Sequence, residues 1–352
     1  MDTAEPIDLR SDFLSRPTAA MVQAMLEASG QRGGFGLRED PQVRALEELA
    51  AATVGKEDAL FCPTCGMANQ LAIHLACRPG EALVAEAQAH VIVSEAGGPA
   101  ALSGVMCRGV PGTDGVPDAA LLEEALAAGD SQRSRAALLV VENTHVRLGG
   151  VVIDLAASRA LQAAARRHGV PVHLDGSRLF NAAASLQLDA RELAATADTV
   201  AFSLNKGLAA PLGAILAGPR QLISDAVRVR QMFGGGWRPA GIVAAAARVA
   251  LQTMPQRMAE DHQVAQALAR ALAQVPGVSL GQRHVPTNLV LLDLAPTQGT
   301  SQHFADRVAR HGVWVLPFGP QRVRLAVYHE IGPGHIARIE RAFRAAAGET
   351  GW

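Results

Sequence analysis

Two kinds of apolar pattern alternate along the chain. Short runs that are hydrophobic at nearly every position, "EALVAEAQ" from Glu81, "AALLVVENT" from Ala136, "PVHLDGS" from Pro171, "TVAFSL" from Thr199 and "GAILAG" from Gly213, predict strands buried on both faces. Between them lie Ala-rich stretches with helical spacing: "MANQLAIHLACR", "PDAALLEEALAAG", "IDLAASRALQAAARRHG" and "ARELAATA". Strand following helix from about Ala59 onward predicts right-handed βαβ units and a mostly parallel sheet covered on both sides. Two amphipathic helices come first, "AAMVQAMLEAS" and "PQVRALEELAAATVG", the second with Asp40 as N-cap and Pro41 in its first turn. Beyond "GGGWRPAG" the pattern predicts a long helical tract from Gly241 to Val275. It leads into "NLVLLDL", "HGVWVLPFG", "RVRLAVY" and a last helix, "GHIARIERAFRAAAG". The fold class is α/β, a large domain followed by a small C-terminal α/β domain.

Composition narrows the function classes. With 352 residues, 32 basic against 33 acidic groups and 49% hydrophobic residues, the chain has the make-up of a globular enzyme, and no charge excess to meet nucleic acid or an anionic membrane. Its apolar runs fall short of the roughly 20 residues that cross a bilayer, and "MDTAEPIDLR" is too acidic for a secretory signal. A cytoplasmic location is the expectation. The four cysteines, Cys62, Cys65, Cys77 and Cys107, are too few for a disulfide framework in a chain of this length.

Ligands of open α/β sheets bind beyond the carboxyl ends of the strands, so the residues after each strand carry the candidate chemistry. They are Glu142 to His145 after "LLVV", Asp175 to Arg178 after "PVHL", and Asn205, Lys206 and Gly207 after "AFSL". Singly, each has a structural explanation: Asp175 as the N-cap of the next helix, His145 as a loop residue, Lys206 as a strand-end amine reaching water. Together they place an acid, an amine, a guanidinium and an imidazole on one rim. A strand-end Asp with a strand-end Lys points to pyridoxal 5'-phosphate, the amine forming a Schiff base with the aldehyde and the carboxylate keeping the pyridine nitrogen protonated. The segment "FCPTCGMANQLAIHLA" supplies a strand, a tight turn at Thr64, Cys65 and Gly66, and a helix start suited to a phosphate. His90, after "EALVAEAQ", is placed either to stack on a flat ring or to serve as an ordinary helix-start histidine.

The pair Cys62-x-x-Cys65 leaves two rivals open, a redox dithiol and a zinc set completed by His74 and Cys77. A dinucleotide site is excluded, because "GVPGTDG" lacks the glycine spacing.

The chain resembles the low-specificity threonine aldolases of the β-eliminating lyase group, which have the aspartate-aminotransferase-like fold called fold type I. The matching segments include "IDLRSD", "EDPQVRALEE", "PTCGMANQ", "AHVIVSEAGG", "ENTH", "VHLDGSRLFNAA", "LNKGLAAPLGA" and "GGGWRPAGI", in order from Ile7 to Ile242, with a weaker counterpart in "RVRLAVYHEI". The resemblance implies a seven-stranded large-domain sheet and three parts: residues 1–25 reaching the active site, 26–247 binding the cofactor and 248–352 forming the small domain. It implies that Lys206 bonds the cofactor, Asp175 meets the pyridine nitrogen and His90 stacks on the ring. Thr64, Cys65 and Gly66 would hold the phosphate, with Arg238 reaching it across a subunit interface of a homo-oligomer, a tetramer in which dimers share active sites. Ser11, Arg178 and Arg324 would hold the substrate carboxylate, and His90 and His145 would stand near its β-hydroxyl. The implied reaction cleaves a β-hydroxy-α-amino acid, such as threonine, allo-threonine or a phenylserine, to glycine and an aldehyde. No metal is implied. β-Elimination or dehydration on the same cofactor is the alternative reaction, and a CxxC redox protein without enzymatic activity the remoter one.

Three departures from the family pattern bear on the site. Cys65 and Gly66 stand where the pattern has Gly and Thr, Leu37 and Arg38 replace a Tyr-Gly pair near the expected substrate entrance, and Tyr328 with His329 stands where a histidine follows the last strand.

Overall fold

The computed structural model describes residues 5–127 and 129–349. Its centre is a seven-stranded sheet with the spatial order Asp58–Cys62, Ala214–Gly218, Thr199–Ser203, Val172–Asp175, Ala136–Glu142, Ala82–Glu86 and Met106–Val110. All neighbours pair in parallel except Ala214–Gly218, which runs antiparallel to both of its neighbours. The continuous apolar runs have the predicted meaning. Ala136–Glu142, Val172–Asp175 and Thr199–Ser203 are buried at every position, because helices cover both faces. The edge strand Met106–Val110 gave no such signal, since its residues "MCRGV" are mostly exposed.

One face is covered by Ala19–Ser29, Pro41–Val54 and Gly241–Thr253, which share a core with Phe61, Leu139 and Phe202. Cys65–Ala76 and Arg220–Met232 cover part of the other. The carboxylate of Asp40 accepts from the backbone N–H of Gln42 and Val43, with Pro41 at the first helical position, so this helix starts where its sequence signals place it.

The tract expected as one helix from Gly241 to Val275 is two. Gly241–Thr253 ends, a 3-10 turn spans Pro255–Arg257, and Met258–Leu272 continues. Pro255 explains the break: it has no N–H to donate, and its ring would clash with the preceding turn. The first helix packs in the large core, whereas Val264, Leu268 and Leu272 join a second core built on Phe304, Phe343 and the strands Leu289–Leu294 and Arg322–Ala326. Those two strands lie between Val278–Leu280 and Leu316–Pro317 in an antiparallel sheet of four. "HGVWVLPFG" is likewise divided, its Val313–Trp314 pairing in parallel with Ile7–Asp8. The N-terminal segment is thereby sewn into the second core through Ile7 and Leu9, and then crosses toward the carboxyl edge of the large sheet. No helix among the described residues is long and apolar enough to cross a membrane.

Candidate active site

Glu142 and Asp175 are the last residues of adjacent parallel strands and stand in register with each other. The next strand ends at Ser203, and Lys206 sits in the tight loop beyond it. Small residues let that loop fold on itself: Ala209 N–H donates to the Lys206 carbonyl at 2.8 Å and Ala210 N–H to that of Leu204 at 2.9 Å. Gly213, at φ +113°, closes the loop where a Cβ would lie 2.3 Å from the Phe61 ring. This is why a lone lysine is ringed by Gly, Ala and Pro. The loop brings its amine inward, leaving Lys206 only 6% exposed. Its ammonium centre stands 4.9 Å from the Phe13 ring centroid, and Ser15 Oγ donates to its carbonyl at 2.8 Å. Burial first, and the Arg178 charge second, lower its pKa from the usual lysine value.

Asp175 accepts from Asn69 Nδ2 at 3.0 Å and from the Ser177 N–H at 3.2 Å. His90 opens a short helical turn. Its N–H donates to Glu142 Oε2 at 2.7 Å, and its Nδ1 bonds Glu95 Oε1 at 2.9 Å. Burial opposes the His90 charge, yet the Glu95 bond and the Asp175 charge raise its pKa above the usual imidazole value. Ligand-type atoms of His90, Glu95 and Asp175 all lie within 4.8 Å of one another. His145 is fully buried, its Nε2 2.9 Å from Glu86 Oε2 and 3.7 Å from Glu142 Oε2, its Nδ1 without a partner. Burial again opposes its charge and the Glu86 bond outweighs it, so its pKa is also raised.

The basic groups divide into a paired and an unpaired one. Arg178 is buried and bound to Asp12 through Nε at 2.8 Å and Nη2 at 2.7 Å, and Asn288 adds a donor to the same carboxylate at 3.1 Å. Although burial opposes it, the Arg178 charge holds Asp12 well below the usual carboxylate range. Arg324 is buried too, but no carboxylate pairs with it among the described residues. Its Nη2 donates to the Arg10 carbonyl at 3.1 Å, its Nε has no partner, and its guanidinium lies over the Phe318 ring. Burial, then repulsion from Arg178, pushes its pKa down to about 10. Ser11 caps the turn Asp12–Leu14 by accepting from the Phe13 N–H.

Thr64 caps the helix Cys65–Ala76 by accepting from the Met67 N–H at 3.1 Å, which leaves the N–H groups of Cys65 and Gly66 at an open helix start. Burial pushes both Cys62 and Cys65 thiols up to about 12, the reverse of what a redox dithiol requires. The zinc set does not assemble either. His74 bonds Ser103, and His90, Glu95 and Asp175 form the one group of metal-ligating type gathered among the described residues.

Arg238 stands apart on the surface, donating to the carbonyl of Phe35, a side chain 89% exposed. Arg38 is engaged in the framework by ion pairs. It grips Asp58 with two nitrogens at 2.9 and 3.0 Å and Glu47 with a third at 2.8 Å. Tyr328 donates to the Asp8 carbonyl at 2.7 Å, holding the N-terminal segment.

A flat ring bearing an aldehyde and an anionic arm suits these donors. Lys206 offers a buried, weakened base, Asp175 an acceptor for a ring N–H, His90 a ring face, and the Cys65 helix start a phosphate-type N–H cradle, with the Ser203 hydroxyl buried and unsatisfied. Sequence reasoning missed Asn69, Glu95, Asp12 and Asn288. Asn69 stands beside a second amide, Gln70, in the helix that follows the cradle, and nothing in the sequence names the partner of either.

A family model described as beta-eliminating lyase matches residues 8–295. The chain is 34% identical to "Low-specificity L-threonine aldolase 1" of Arabidopsis thaliana over 97% of its own length and 96% of that protein. Among solved structures, Leishmania major threonine aldolase superposes with a TM-score of 0.83 at 18% identity, over 97% of this chain and 100% of that one. A structure of SPT with PLP superposes at 0.75 and 20% identity over 97% and 87%. Both share the fold type I architecture that the resemblance implied.

Proposed function

The chain belongs to the beta-eliminating lyase family, and from that premise we propose that it is a pyridoxal-phosphate-dependent lyase cleaving threonine to glycine and an aldehyde. The observation that carries the reading is the convergence of a buried, weakened lysine with Asp175 and His90 at neighbouring strand ends, beside a buried arginine, Arg324, that no carboxylate among the described residues pairs with.

When bound, the cofactor supplies an electron sink for the pair left at Cα as the Cα–Cβ bond breaks. Asp175 would meet the pyridine nitrogen and keep it protonated, which makes the sink effective. Lys206, its charged form disfavoured by burial and by Arg178, would be the amine that holds the cofactor's aldehyde. Arg324 would take the substrate carboxylate, assisted by Arg178 and Ser11 from across the same rim, which fixes the orientation of the substrate at Cα. His90 and His145 each commit one nitrogen to a carboxylate and leave the other to accept the β-hydroxyl proton.

The Cys65 and Gly66 amides, with Thr64, hold the phosphate. Arg238 completes that cradle from a second subunit of a homo-oligomer, a tetramer of active-site-sharing dimers; its exposed place beside Phe35 supports the assignment. The preference among threonine, allo-threonine and phenylserine belongs to the lining near Leu37, and the location is cytoplasmic. The N-terminal segment up to residue 25 reaches the site, and the cofactor-binding part extends past 247 to Met258, because Ala250, Leu251, Met254 and Met258 still join the large core; the small domain follows, and residues 1–4, 128 and 350–352 lie outside the described residues.

The test is borohydride reduction of the holoenzyme followed by peptide mapping, with an aldehyde-release assay on threonine stereoisomers and phenylserine. Label on Lys206 and glycine as co-product are expected. Label on Lys56, or a keto acid and ammonia in place of glycine, would overturn the reading.

A further inference from the structure

Asn69 makes three hydrogen bonds that no part of the reaction above uses. Its Nδ2 donates to Asp175 Oδ2 at 3.0 Å and to Glu95 Oε1 at 2.8 Å, and its Oδ1 meets His173 Nε2 at 3.0 Å. His173 Nδ1 lies 2.8 Å from Thr199 Oγ1. All four links are between side chains, and Asn69, His173, Asp175 and Thr199 are buried.

The proton positions follow from the chemistry of the groups. Turning the amide over would aim its oxygen at two carboxylate oxygens, acceptor against acceptor, so Nδ2 must face them. Oδ1 then faces His173, whose Nε2 must carry the ring proton. Nδ1 is left as an acceptor, and the Thr199 hydroxyl donates to it. A neutral ring satisfies this order, and burial lowers the His173 pKa to about 4, so the chain of donors holds throughout the physiological range.

We propose that Asn69 is a positioning residue that bridges the carboxylate under the cofactor's ring nitrogen to the Glu95–His90 pair, its orientation fixed by His173 and Thr199. The bridge does two things. It spreads one donor group over two anions that would otherwise repel, and it links the acid beneath the ring to the imidazole beside it. Glu95 is anchored on its other oxygen by Gln70 Nε2 at 2.6 Å, so the amide works against a fixed partner. Lacking the bridge, the two carboxylates face each other with no shared donor between them, and Asp175 is no longer held in place beneath the ring nitrogen. Other charged and titratable groups also act around Asp175: Glu142 on the adjacent strand, His90, His145, Cys65, Arg178 and Lys206. They are common to wild type and variant, and cancel in a comparison of the two.

This inference rests on the cofactor reading, and its test separates the two. Pyridoxamine 5'-phosphate lacks the aldehyde, so its binding does not depend on bond formation with Lys206. Its Kd, and that of inorganic phosphate, which meets only the helix-start cradle, are measured by equilibrium dialysis for wild type, Asn69→Leu and Thr199→Val. For Asn69→Leu we expect pyridoxamine phosphate affinity weakened about tenfold or more with the phosphate Kd unchanged. For Thr199→Val we expect a smaller loss of the same kind. Wild-type pyridoxamine phosphate Kd values in both variants, or an equal loss for both ligands, would overturn the bridge. If Asn69→Leu does not fold, the Thr199→Val values decide alone. A wild type that binds neither pyridoxamine phosphate nor pyridoxal phosphate would instead overturn the cofactor reading.

Discussion

Arg178 holds Asp12 in a buried two-point ion pair, Nε to Oδ2 at 2.8 Å and Nη2 to Oδ1 at 2.7 Å, so a residue of the N-terminal segment neutralises a cation of the central loop. Removing one partner leaves the other charged and out of water. Asp12→Asn is therefore expected to cost about 3–5 kcal/mol, read as a lower urea midpoint. The pH sense follows from the depressed Asp12 pKa. Stabilisation is complete above the unfolded aspartate value of about 3.9 and is lost as pH falls below it. The variant's stability should thus be flatter than that of the wild type across the acid range.

Arg324 is the complementary case, a buried cation awaiting an anion. If the substrate carboxylate is that anion, Arg324→Leu should raise KM for threonine by about 10- to 100-fold, the worth of a charge-assisted hydrogen bond, and Arg324→Lys should recover only part of it. Steady-state kinetics check this, and an unchanged KM would remove Arg324 from the substrate site.

The His90 pKa is raised above the usual value of about 6.5 because the Glu95 bond and nearby anions outweigh burial. A base must be unprotonated, so activity should climb with pH through this raised value. Removing the Glu95 charge lowers it. Glu95→Gln is expected to move the acid limb of the kcat/KM profile down by about 1 pH unit. If the limb stays in place in Glu95→Gln yet moves in Glu86→Gln, the base is His145.

Arg38 bridges two carboxylates that burial would otherwise isolate, Glu47 above all, whose pKa burial raises. Arg38→Met should cost about 2–3 kcal/mol, less than a fully enclosed pair because the Arg38 side chain is 28% exposed. Relative rates on threonine and phenylserine should not change. A changed ratio would return this position to the substrate entrance.

How legible all this was depended on how each residue advertises itself. Asp175 and Lys206 could be found because each follows a largely apolar, buried strand, and an ionisable group there must meet either water or a ligand. The antiparallel course of Ala214–Gly218 is invisible in composition, since a strand buried on both faces looks the same in either direction. Met106–Val110 escaped because its side chains are mostly exposed and so carry no apolar run, unlike those of the other edge strand, Asp58–Cys62. The break at Pro255 was printed in the sequence, and the helical spacing on either side masked it. Asn69 and His173 were hidden for a different reason: a single polar residue inside a core element acquires meaning only when its partner arrives from elsewhere in the chain. The Asp12 pair joins residues 166 positions apart in the chain, and no local pattern announces it.

The stitched N-terminus has a mechanical consequence. One end of this short strap is woven beside Val313–Trp314, and the other is fastened by the Ser15 hydroxyl to the backbone of the lysine loop. A single short segment thus ties the backbone of the Lys206 loop to the strand beside the C-terminal core, and the placement of one is fixed relative to the other.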